Sequence, residues 1–250
     1  MRLLLMADSD VGSEILRWLL SEYLNDLSLV VTTSENDICN ATRNANIPLL
    51  FYESSEQVSK YINDNEIEID IGIMAWWPKI ITQPLIGLPR CGFINTHPSF
   101  LPYNRGKNYN FWVLLEQVPF GATLHFVDEG IDSGDIIAQV RIPYGWEDNG
   151  GTLYVKAKSA IVSLFKEEYP SIRTLNFPRR KQNLDVGSFH TSGEMGVASH
   201  IYLERQYPAH ELLNLLRGRT FPGNPACWFR DGDEEYEVRI EISKRKNSGD

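Results

Sequence analysis

The sequence predicts an α/β protein with a Rossmann-like, doubly wound and mainly parallel sheet, followed by a small C-terminal α+β unit. Two observations support this fold class. The first 95 residues alternate short apolar runs with segments of helical periodicity, whereas the residues after 188 carry one helical segment and one hairpin pattern. Because alternating strands and helices build a parallel sheet covered on both faces, the first region predicts the doubly wound sheet.

The strands and helices of the first region follow one another in a regular order. Apolar runs predict strands at residues 2–7, 27–33, 48–52, 67–74 and 92–95. Between them, apolar residues at helical spacing predict helices at residues 11–24, 37–44 and 56–65. In the first helix, Val11, Ile15, Trp18, Leu19 and Tyr23 fall near one face, which we expect to pack on the sheet.

The rest of the chain predicts one more strand, a long helix and then the small unit. Residues 135–142 read as a strand and residues 153–169 as the helix. The polar stretch 174–187 contains proline and the basic run Arg179-Arg180-Lys181, and it is typical of a linker or loop whose cations are solvated. Beyond it we predict a strand at 200–203, a helix at 209–217 and a hairpin of 226–229 with 236–242. The predicted domains are therefore 1–178 and 179–250.

Composition narrows the class of protein. The chain has 250 residues and a net charge of −9, which disfavours a broad nucleic-acid surface. Its three cysteines are widely separated and odd in number, which is typical of reduced thiols in the cytosol. Residues 1–6 form too short an apolar run for a signal peptide, and no later run approaches a membrane span. We expect a soluble, cytoplasmic protein.

The turn after the first strand argues against a dinucleotide site. Residues 8–12 contain one glycine, Gly12, where a dinucleotide fingerprint needs three. In open α/β sheets, ligands bind outside the carboxyl ends of the strands. Asn95 and His97 would lie at that edge, because they follow the apolar run 91–94 directly.

Asn95, His97 and Asp132 form the constellation with the clearest chemistry. Asp132 follows His97 by 35 residues, in a loop that runs from Asp128 to Asp135. An amide can polarise a carbonyl oxygen, an imidazole can take a proton from an attacking nitrogen, and a carboxylate can orient the imidazole. These three residue types therefore favour acyl transfer without a covalent intermediate. A histidine after a buried strand can also be purely structural.

The order of these residues resembles the formyltransferases that use N10-formyltetrahydrofolate. Their signature is Asn-x-His-Pro-Ser followed by Asp in an Asp-Glu-x-x-Asp-x-Gly loop, and residues 93–137 carry the match, with Gly121 and His125 ahead of the loop. The resemblance implies a formyltransferase fold. Residues 105–112, Arg-Gly-Lys-Asn-Tyr-Asn-Phe-Trp, resemble the branch that formylates nucleotide-linked amino sugars, which implies a role in surface polysaccharide biosynthesis such as that of O-antigen or lipopolysaccharide.

The resemblance also implies roles for particular residues. Asn95, His97 and Asp132 would be catalytic and no metal would be required. N10-formyltetrahydrofolate would be the formyl donor, bound largely by backbone groups of one turn and one loop. The implied donor residues are Ala75, Trp76, Trp77, Asp128, Glu129, Gly130 and Ile131. The two indoles could equally cap the core.

The acceptor amine is implied by a segment that follows His97 closely. Its cations suit a diphosphate and its aromatic rings suit a sugar or base, although a surface loop would look similar. The implied residues are Tyr103, Arg105, Gly106, Lys107, Asn108, Tyr109 and Trp112. The nucleotide (dTDP, GDP or UDP), the sugar and the position of its amine stay open, and exposed aromatics of the C-terminal hairpin suggest a homodimer.

Three alternatives remain at this point. Methionyl-tRNA is another acceptor in the family, but residues 179–250 hold 11 basic and 11 acidic residues, whereas a tRNA partner favours a basic face. Glycinamide ribonucleotide is usually handled by a shorter chain. A non-catalytic folate-binding or nucleotide-sugar-binding protein is the alternative of another class.

Overall fold

The computed structural model describes residues 1–245, and these residues fall into two compact units. Unit 1 contains residues 1–98, 122–140 and 160–182; unit 2 contains the segments 99–121 and 141–159 and the chain from 183 onward. Neither unit is continuous in sequence. The predicted boundary between domains 1–178 and 179–250 stays a prediction. Residues 246–250 of the second predicted domain lie outside the described residues.

The described chain contains eleven strands and seven α-helices. The strands are β1 (Leu3–Ala7), β2 (Leu27–Thr32), β3 (Leu49–Phe51), β4 (Ile71–Ala75), β5 (Phe93–His97), β6 (Arg105–Gly106), β7 (Gly121–Phe126), β8 (Ile136–Arg141), β9 (Phe189–His190), β10 (Cys227–Asp231) and β11 (Glu234–Val238). The helices are α1 (Ser9–Glu22), α2 (Asp37–Asn44), α3 (Ser55–Asp64), α4 (Tyr109–Glu116), α5 (Gly150–Arg173), α6 (Glu194–Ala198) and α7 (Ala209–Gly218).

The predicted doubly wound sheet is confirmed. Seven strands lie in the order β3-β2-β1-β4-β5-β7-β8, and the first four pairings in that order are parallel. β7 pairs with β5 in the antiparallel sense, so the sheet is mainly but not wholly parallel. All residues of β1 and β4 are buried, as expected for strands covered on both faces.

The two faces of the sheet carry separate apolar cores because side chains alternate along each strand. Leu3 and Leu5 point into one core with helices α1 and α5, and Leu4 and Met6 point into the other with helix α3. Each face thus receives helices, which is the arrangement that the alternating pattern predicts.

Helix α1 begins directly after β1 and illustrates how the sequence fixes a boundary. Asp8 is its N-cap and accepts a hydrogen bond from the Ser9 N–H at 2.7 Å. Gly12 lies where a Cβ would come within 3.1 Å of Ala7 and of the Ala75 carbonyl oxygen, so the helix can approach the sheet closely. The helix ends at Glu22, and Tyr23 adopts non-helical dihedral angles, two residues before the predicted end.

Some predicted elements need correction. The strand β7 had not been predicted, although its six residues are all buried. The strand predicted at 200–203 is wrong: only His200 forms a bridge, to Trp228, because the chain turns immediately afterwards. The stretch predicted as a linker at 174–187 contains a bridge from Arg180 to Ile136 and a short 3₁₀ turn at Leu184–Val186.

Unit 2 has a small core of its own. Phe111 of α4 packs with Leu215 and Leu216 of α7 and with Cys227 of β10. Burial raises the pKa of the Cys227 thiol to about 12, which makes this cysteine a poor nucleophile. The antiparallel hairpin β10–β11 confirms the predicted hairpin. The longest helix among residues 1–245 is not apolar enough to cross a membrane, and neither is any other helix there.

Candidate functional site

Strand β5 presents the predicted amide and imidazole on one face of the sheet. Asn95 and His97 are two residues apart, so their side chains point to the same side, whereas Thr96 points to the other. The Thr96 hydroxyl accepts from the Trp76 N–H at 3.0 Å and donates to the Met74 carbonyl oxygen at 3.2 Å. Thr96 therefore fixes the end of β5 against β4 and holds the strand register on which the site depends.

His125 of β7 joins the site from the neighbouring strand. It lies directly opposite Asn95 in the antiparallel register, which puts both side chains on the same face. The ring Nδ1 lies 2.8 Å from the Phe126 carbonyl oxygen, which can only accept, so we assign the proton to Nδ1. Nε2 is then an acceptor for the Asn95 Nδ2, 3.3 Å away.

Asp132 lies beside the other three side chains. One carboxylate oxygen, Oδ2, lies 3.5 Å from the His97 Nδ1. The other, Oδ1, lies 3.4 Å from the Asn95 Nδ2 and 3.5 Å from the His125 Nε2. The structure thus brings the three predicted catalytic residues together and adds His125, which sequence reasoning had not placed in the site.

The loop before β8 holds Asp132 in an uncommon backbone conformation. Asp132 has a φ of 51°, in the left-handed region that side chains with a Cβ disfavour. Upstream, the Asp128 carboxylate accepts from the Gly130 N–H at 3.0 Å and from the Ser133 hydroxyl at 2.8 Å. At Gly134 a Cβ would lie 2.0 Å from the Phe126 carbonyl oxygen, so only glycine fits this close approach.

The cluster is largely shielded from water. His97 is 5% exposed and His125 is 1% exposed. In such surroundings a hydrogen bond to a developing charge is stronger than in water. The donor atoms of His97, His125 and Asp132 all lie within 4.8 Å of one another, so these are also the residues that could hold a metal ion.

The segment predicted to hold the formyl donor lies beyond the end of β4. Ala75 closes the strand and Trp76 turns away with a φ of 54°. The Trp77 ring is 9% exposed and makes an edge contact with Tyr52, which supports the core-capping alternative for that indole. Asp128, Glu129, Gly130 and Ile131 are exposed in the Asp132 loop.

The segment predicted to bind the acceptor belongs to unit 2. Arg105 and Gly106 form β6, which pairs in parallel with β9. Gly106 has a φ of 87°, and a Cβ there would lie 2.3 Å from the His190 carbonyl oxygen. Lys107 is exposed, whereas Tyr103 is partly buried.

The last three residues of that segment start helix α4. Asn108 is left-handed, with a φ of 62°, at the helix start. Tyr109 is 7% exposed and stacks on Phe120, and burial raises the pKa of its hydroxyl well above its usual range. Trp112 stacks on His190 with ring centroids 3.8 Å apart. Tyr109 and Trp112 thus pack within unit 2, and their contact with an acceptor stays a prediction.

A second histidine–carboxylate cluster in unit 2 was also missed. The His190 Nε2 lies 2.6 Å from Glu116 and its Nδ1 lies 3.0 Å from Glu194. The other Glu116 oxygen accepts from Asn104 and from Ser188, both at 2.7 Å. Glu116 is 74 residues from His190 and 72 from Ser188 in the sequence, so no local pattern could bring it to His190. His125, by contrast, could have been found by reading residues 121–126 as a strand.

Comparison with known proteins identifies the class. The formyl transferase family matches residues 5–167, and the N-formyltransferase dimerization C-terminal domain matches residues 194–244. The first match covers more than half of the chain, so the chain belongs to the formyl transferase family. This confirms the resemblance that residues 93–137 indicate.

Individual relatives share parts of the chain. The methionyl-tRNA formyltransferase of Syntrophus aciditrophicus (strain SB) is 30% identical over 125 residues, which are 50% of this chain and 40% of that protein. The chain spans about half the length of such curated relatives, from 40% to 54%.

Solved structures resemble the chain over more of its length. A 4-N formyltransferase from Francisella tularensis has a TM-score of 0.82 and 23% identity, and the match covers 98% of both chains. The N-formyltransferase from Helicobacter canadensis, in complex with folinic acid and dTDP-3-aminofucose, has a TM-score of 0.69 and 20% identity over 88% of this chain and 81% of that chain. At these identities the likeness concerns the fold.

Proposed function

We propose that the protein transfers a formyl group from N10-formyltetrahydrofolate to the amine of a nucleotide-linked amino-deoxysugar. The observation that carries the proposal is the meeting of Asn95, His97 and Asp132. Both oxygens of the Asp132 carboxylate take part, at 3.5 Å from the His97 Nδ1 and 3.4 Å from the Asn95 Nδ2. Such an amide, base and carboxylate can together catalyse formyl transfer to an amine.

In this proposal His97 accepts the proton that the attacking amine must lose. A free imidazole has a pKa of about 6.5, which suits proton transfer near neutral pH. Asp132 orients the ring and stabilises it when it becomes cationic. The Asn95 amide donates to the formyl oxygen as negative charge develops there, and losing one such donor typically costs about 2.7–4 kcal/mol.

His125 has a supporting part in the same cluster. Its Nε2 accepts from the Asn95 Nδ2, and this contact sets which way the amide of Asn95 faces. The His125 Nδ1 donates its proton to the Phe126 carbonyl oxygen. A neutral ring could therefore donate from Nε2 only if this hydrogen bond were broken. His125 therefore positions the amide that serves the formyl oxygen.

The formyl donor fits the chain's own residues around the Asp132 loop. It would supply the one-carbon group, and Ala75, Trp76, Trp77 and residues 128–131 would hold its pteridine ring. Ile131 is 45% exposed on this loop, and such an apolar surface beside backbone polar groups suits a flat heterocycle. Trp77 would contribute through its backbone, since its indole packs on Tyr52.

The acceptor would be bound by the segment from Tyr103 to Trp112. Arg105 and Lys107 carry the positive charge that a diphosphate rewards. Pairing of β6 with β9 holds this part of the backbone, through the Arg105 N–H to the Ser188 oxygen and the Lys107 N–H to the His190 oxygen, both at 3.0 Å. Gly106 and Asn108 shape the turn, and Tyr109 and Trp112 support it.

The length of the likeness favours a sugar acceptor over the alternatives. The Francisella 4-N formyltransferase matches this chain from end to end, C-terminal unit included. Methionyl-tRNA formyltransferases match over about half of their own length only. The Helicobacter structure holds dTDP-3-aminofucose and folinic acid, which are the two ligand classes proposed here.

The setting of the reaction follows from the same proposal. We expect a homodimer formed through residues 194–244, where the dimerization domain matches and Tyr236 is 48% exposed. The cysteines Cys39, Cys91 and Cys227 are free thiols, in keeping with a cytoplasmic location. The product would serve the biosynthesis of surface polysaccharides, such as O-antigen or lipopolysaccharide.

A substrate panel tests the proposal. Purified protein is mixed with N10-formyltetrahydrofolate and, in turn, with dTDP-, GDP- and UDP-linked 3-amino and 4-amino sugars, glycinamide ribonucleotide and methionyl-tRNA. We expect release of tetrahydrofolate with at least one amino sugar, and a formamide in the product by mass spectrometry. Faster formylation of methionyl-tRNA than of any sugar would overturn the sugar assignment. Binding without turnover on every acceptor would support the non-catalytic alternative.

A further inference from the structure

The chain returns to the catalytic loop after helix α5, at residues 179–182. Arg180 pairs with Ile136 at the start of β8 through two backbone hydrogen bonds of 2.8 and 2.9 Å. This segment was predicted to be a linker or loop with a solvated basic run. Instead, it runs beside the edge strand of unit 1, next to the loop that carries Asp132.

Two arginine side chains fix this segment in place. The Arg179 guanidinium lies over the Phe126 ring at 3.8 Å, and its Nε is 3.4 Å from Asp135. Arg180 donates to the Gln139 side-chain oxygen at 3.0 Å. Arg179 and Arg180 are therefore anchored on both strands that flank the catalytic loop, and the position of residue 182 follows from them.

Gln182 places one amide group against the backbone of the catalytic loop. Its Nε2 donates to the Asp132 carbonyl oxygen at 3.0 Å and to the Gly134 carbonyl oxygen at 2.7 Å. Carbonyl oxygens only accept hydrogen bonds, so the amide nitrogen, and not its oxygen, must face them. Both amide protons are thus used to hold two carbonyls that lie two residues apart.

The loop that carries Asp132 needs stabilising hydrogen bonds of this kind, because of its backbone conformation. Asp132 sits in the left-handed region, with a φ of 51°, where a side chain with a Cβ is disfavoured. The residue can stay there only if surrounding contacts determine it. Its carboxylate meets His97 and Asn95 at 3.4–3.5 Å, distances that a small rotation of the loop would lengthen.

We propose that Gln182 is a positioning residue that keeps the Asp132 carboxylate in register with His97 and Asn95. The proposal rests on the function proposed above. Gln182 acts through the Asp132 and Gly134 carbonyl groups of the loop backbone. The proposal gives it no contact with the substrates. Its loss should therefore reduce the rate of the chemical step and leave acceptor binding intact.

The test uses three variants of the full chain. Gln182→Met keeps the side-chain size and removes both donors, Gln182→Glu replaces the donors with a carboxylate, and Lys181→Gln is the matched control at an exposed neighbouring position. For each, kcat and both KM values are measured between pH 5 and pH 9. Hydrogen–deuterium exchange of residues 127–135 is measured in parallel.

We expect Gln182→Met to lower kcat by about 10- to 100-fold, the usual scale for a misplaced catalytic group. The KM for the nucleotide sugar should stay within about twofold. Gln182→Glu should be as slow at high pH but regain rate relative to Gln182→Met as the pH falls, because a protonated carboxyl can again donate one hydrogen bond. The control should match the wild type.

Several results would overturn the proposal. These are a kcat for Gln182→Met within twofold of wild type, a raised sugar KM at unchanged kcat, or an equal loss in Lys181→Gln. The exchange measurement does not depend on the substrate: exchange in residues 127–135 must rise in Gln182→Met and not in the control. If the wild type formylates no amino sugar, the proposed function fails, while unchanged exchange would refute the role of Gln182 on its own.

Discussion

Two histidine–carboxylate clusters occupy the two units, and they differ in how tightly their groups are joined. One of them, called the catalytic cluster after the role proposed for it, consists of Asn95, His97, His125 and Asp132. Its polar atoms meet at 3.3–3.5 Å, longer than an ordinary hydrogen bond of about 2.9 Å. Catalytic hydrogen bonds are often long without substrate and tighten when it binds.

The second cluster, called the clamp cluster, consists of Glu116, His190, Glu194 and Trp112. Its ring nitrogens lie 2.6 and 3.0 Å from two carboxylates, so both can donate when the ring is cationic. The indole of Trp112 covers one face of that ring. The His190 backbone also pairs with β6. The clamp cluster therefore joins the acceptor segment, residues 103–112, to the C-terminal part of unit 2.

Histidine and carboxylate side chains can serve either catalysis or structure, according to the distances between them. Two close carboxylates, one at each ring nitrogen, hold the His190 ring in one orientation. A histidine with a more distant carboxylate keeps the capacity to change partners and protonation during a reaction. Variants of the catalytic cluster should therefore change the rate, and variants of the clamp cluster should change stability or acceptor binding.

The largest expected effect is that of His97→Asn. Removal of the base should lower turnover by about two to four orders of magnitude, while the fold and donor binding are kept. Steady-state kinetics and circular dichroism measure the two properties. The control is His210→Asn, at an exposed histidine of unit 2, which should keep full turnover. Near-native turnover of a folded His97→Asn protein would remove His97 from the mechanism.

A smaller effect is expected at the acceptor segment. Arg105→Ala and Lys107→Ala should each raise the KM for the nucleotide sugar by about tenfold and leave the donor KM nearly unchanged. A tenfold change corresponds to a loss of about 1.4 kcal/mol of charge-assisted binding. Kinetics with each substrate varied in turn separate the two. Lys60→Ala, at an exposed cation of α3, is the control. A change in the donor KM alone would show that these cations serve the folate.

The smallest effect concerns Glu194 in the clamp cluster. Hydrogen bonds from the Thr191 backbone, His190 and the Thr191 hydroxyl lower the pKa of Glu194 to about 2, well below the usual value for a glutamate. Because the pKa of Glu194 is lower in the folded than in the unfolded protein, its carboxylate stabilises the fold at pH values above about 4.5. This contribution is lost as the pH falls from about 4.5 to about 2.

Glu194→Gln should therefore melt a few degrees lower than the wild type at pH 7, and the difference should shrink through that acidic window. Thermal unfolding at a series of pH values measures it. Because Glu194 lies on the surface of the clamp cluster, turnover at saturating substrates should not change. A difference that grows as the pH falls would mean that the charge of Glu194 destabilises the fold.

The sequence predicted the sheet, and it singled out the three residues proposed to be catalytic, because both depend on local signals. Buried strands are apolar runs, and Asn95 and His97 directly extend one of them. The contributions of His125, Gln182 and His190 depend on pairings across long separations: β5 with β7, residue 180 with β8, and β6 with β9. No periodicity encodes such pairings, so the partners of Gln182 and His190 could be found only in the fold. Reading residues 121–126 as a strand would have suggested His125.

The most direct test of the account compares two isosteric variants, Asp132→Asn in the catalytic cluster and Glu116→Gln in the clamp cluster. Turnover is measured at saturating concentrations of both substrates, together with Tm. We predict that Asp132→Asn loses about 100-fold or more in kcat at nearly unchanged Tm and sugar KM. Glu116→Gln should melt lower and keep its kcat within about threefold. The reverse pattern, or an Asp132→Asn protein whose sugar binding falls as much as its turnover, would contradict the account.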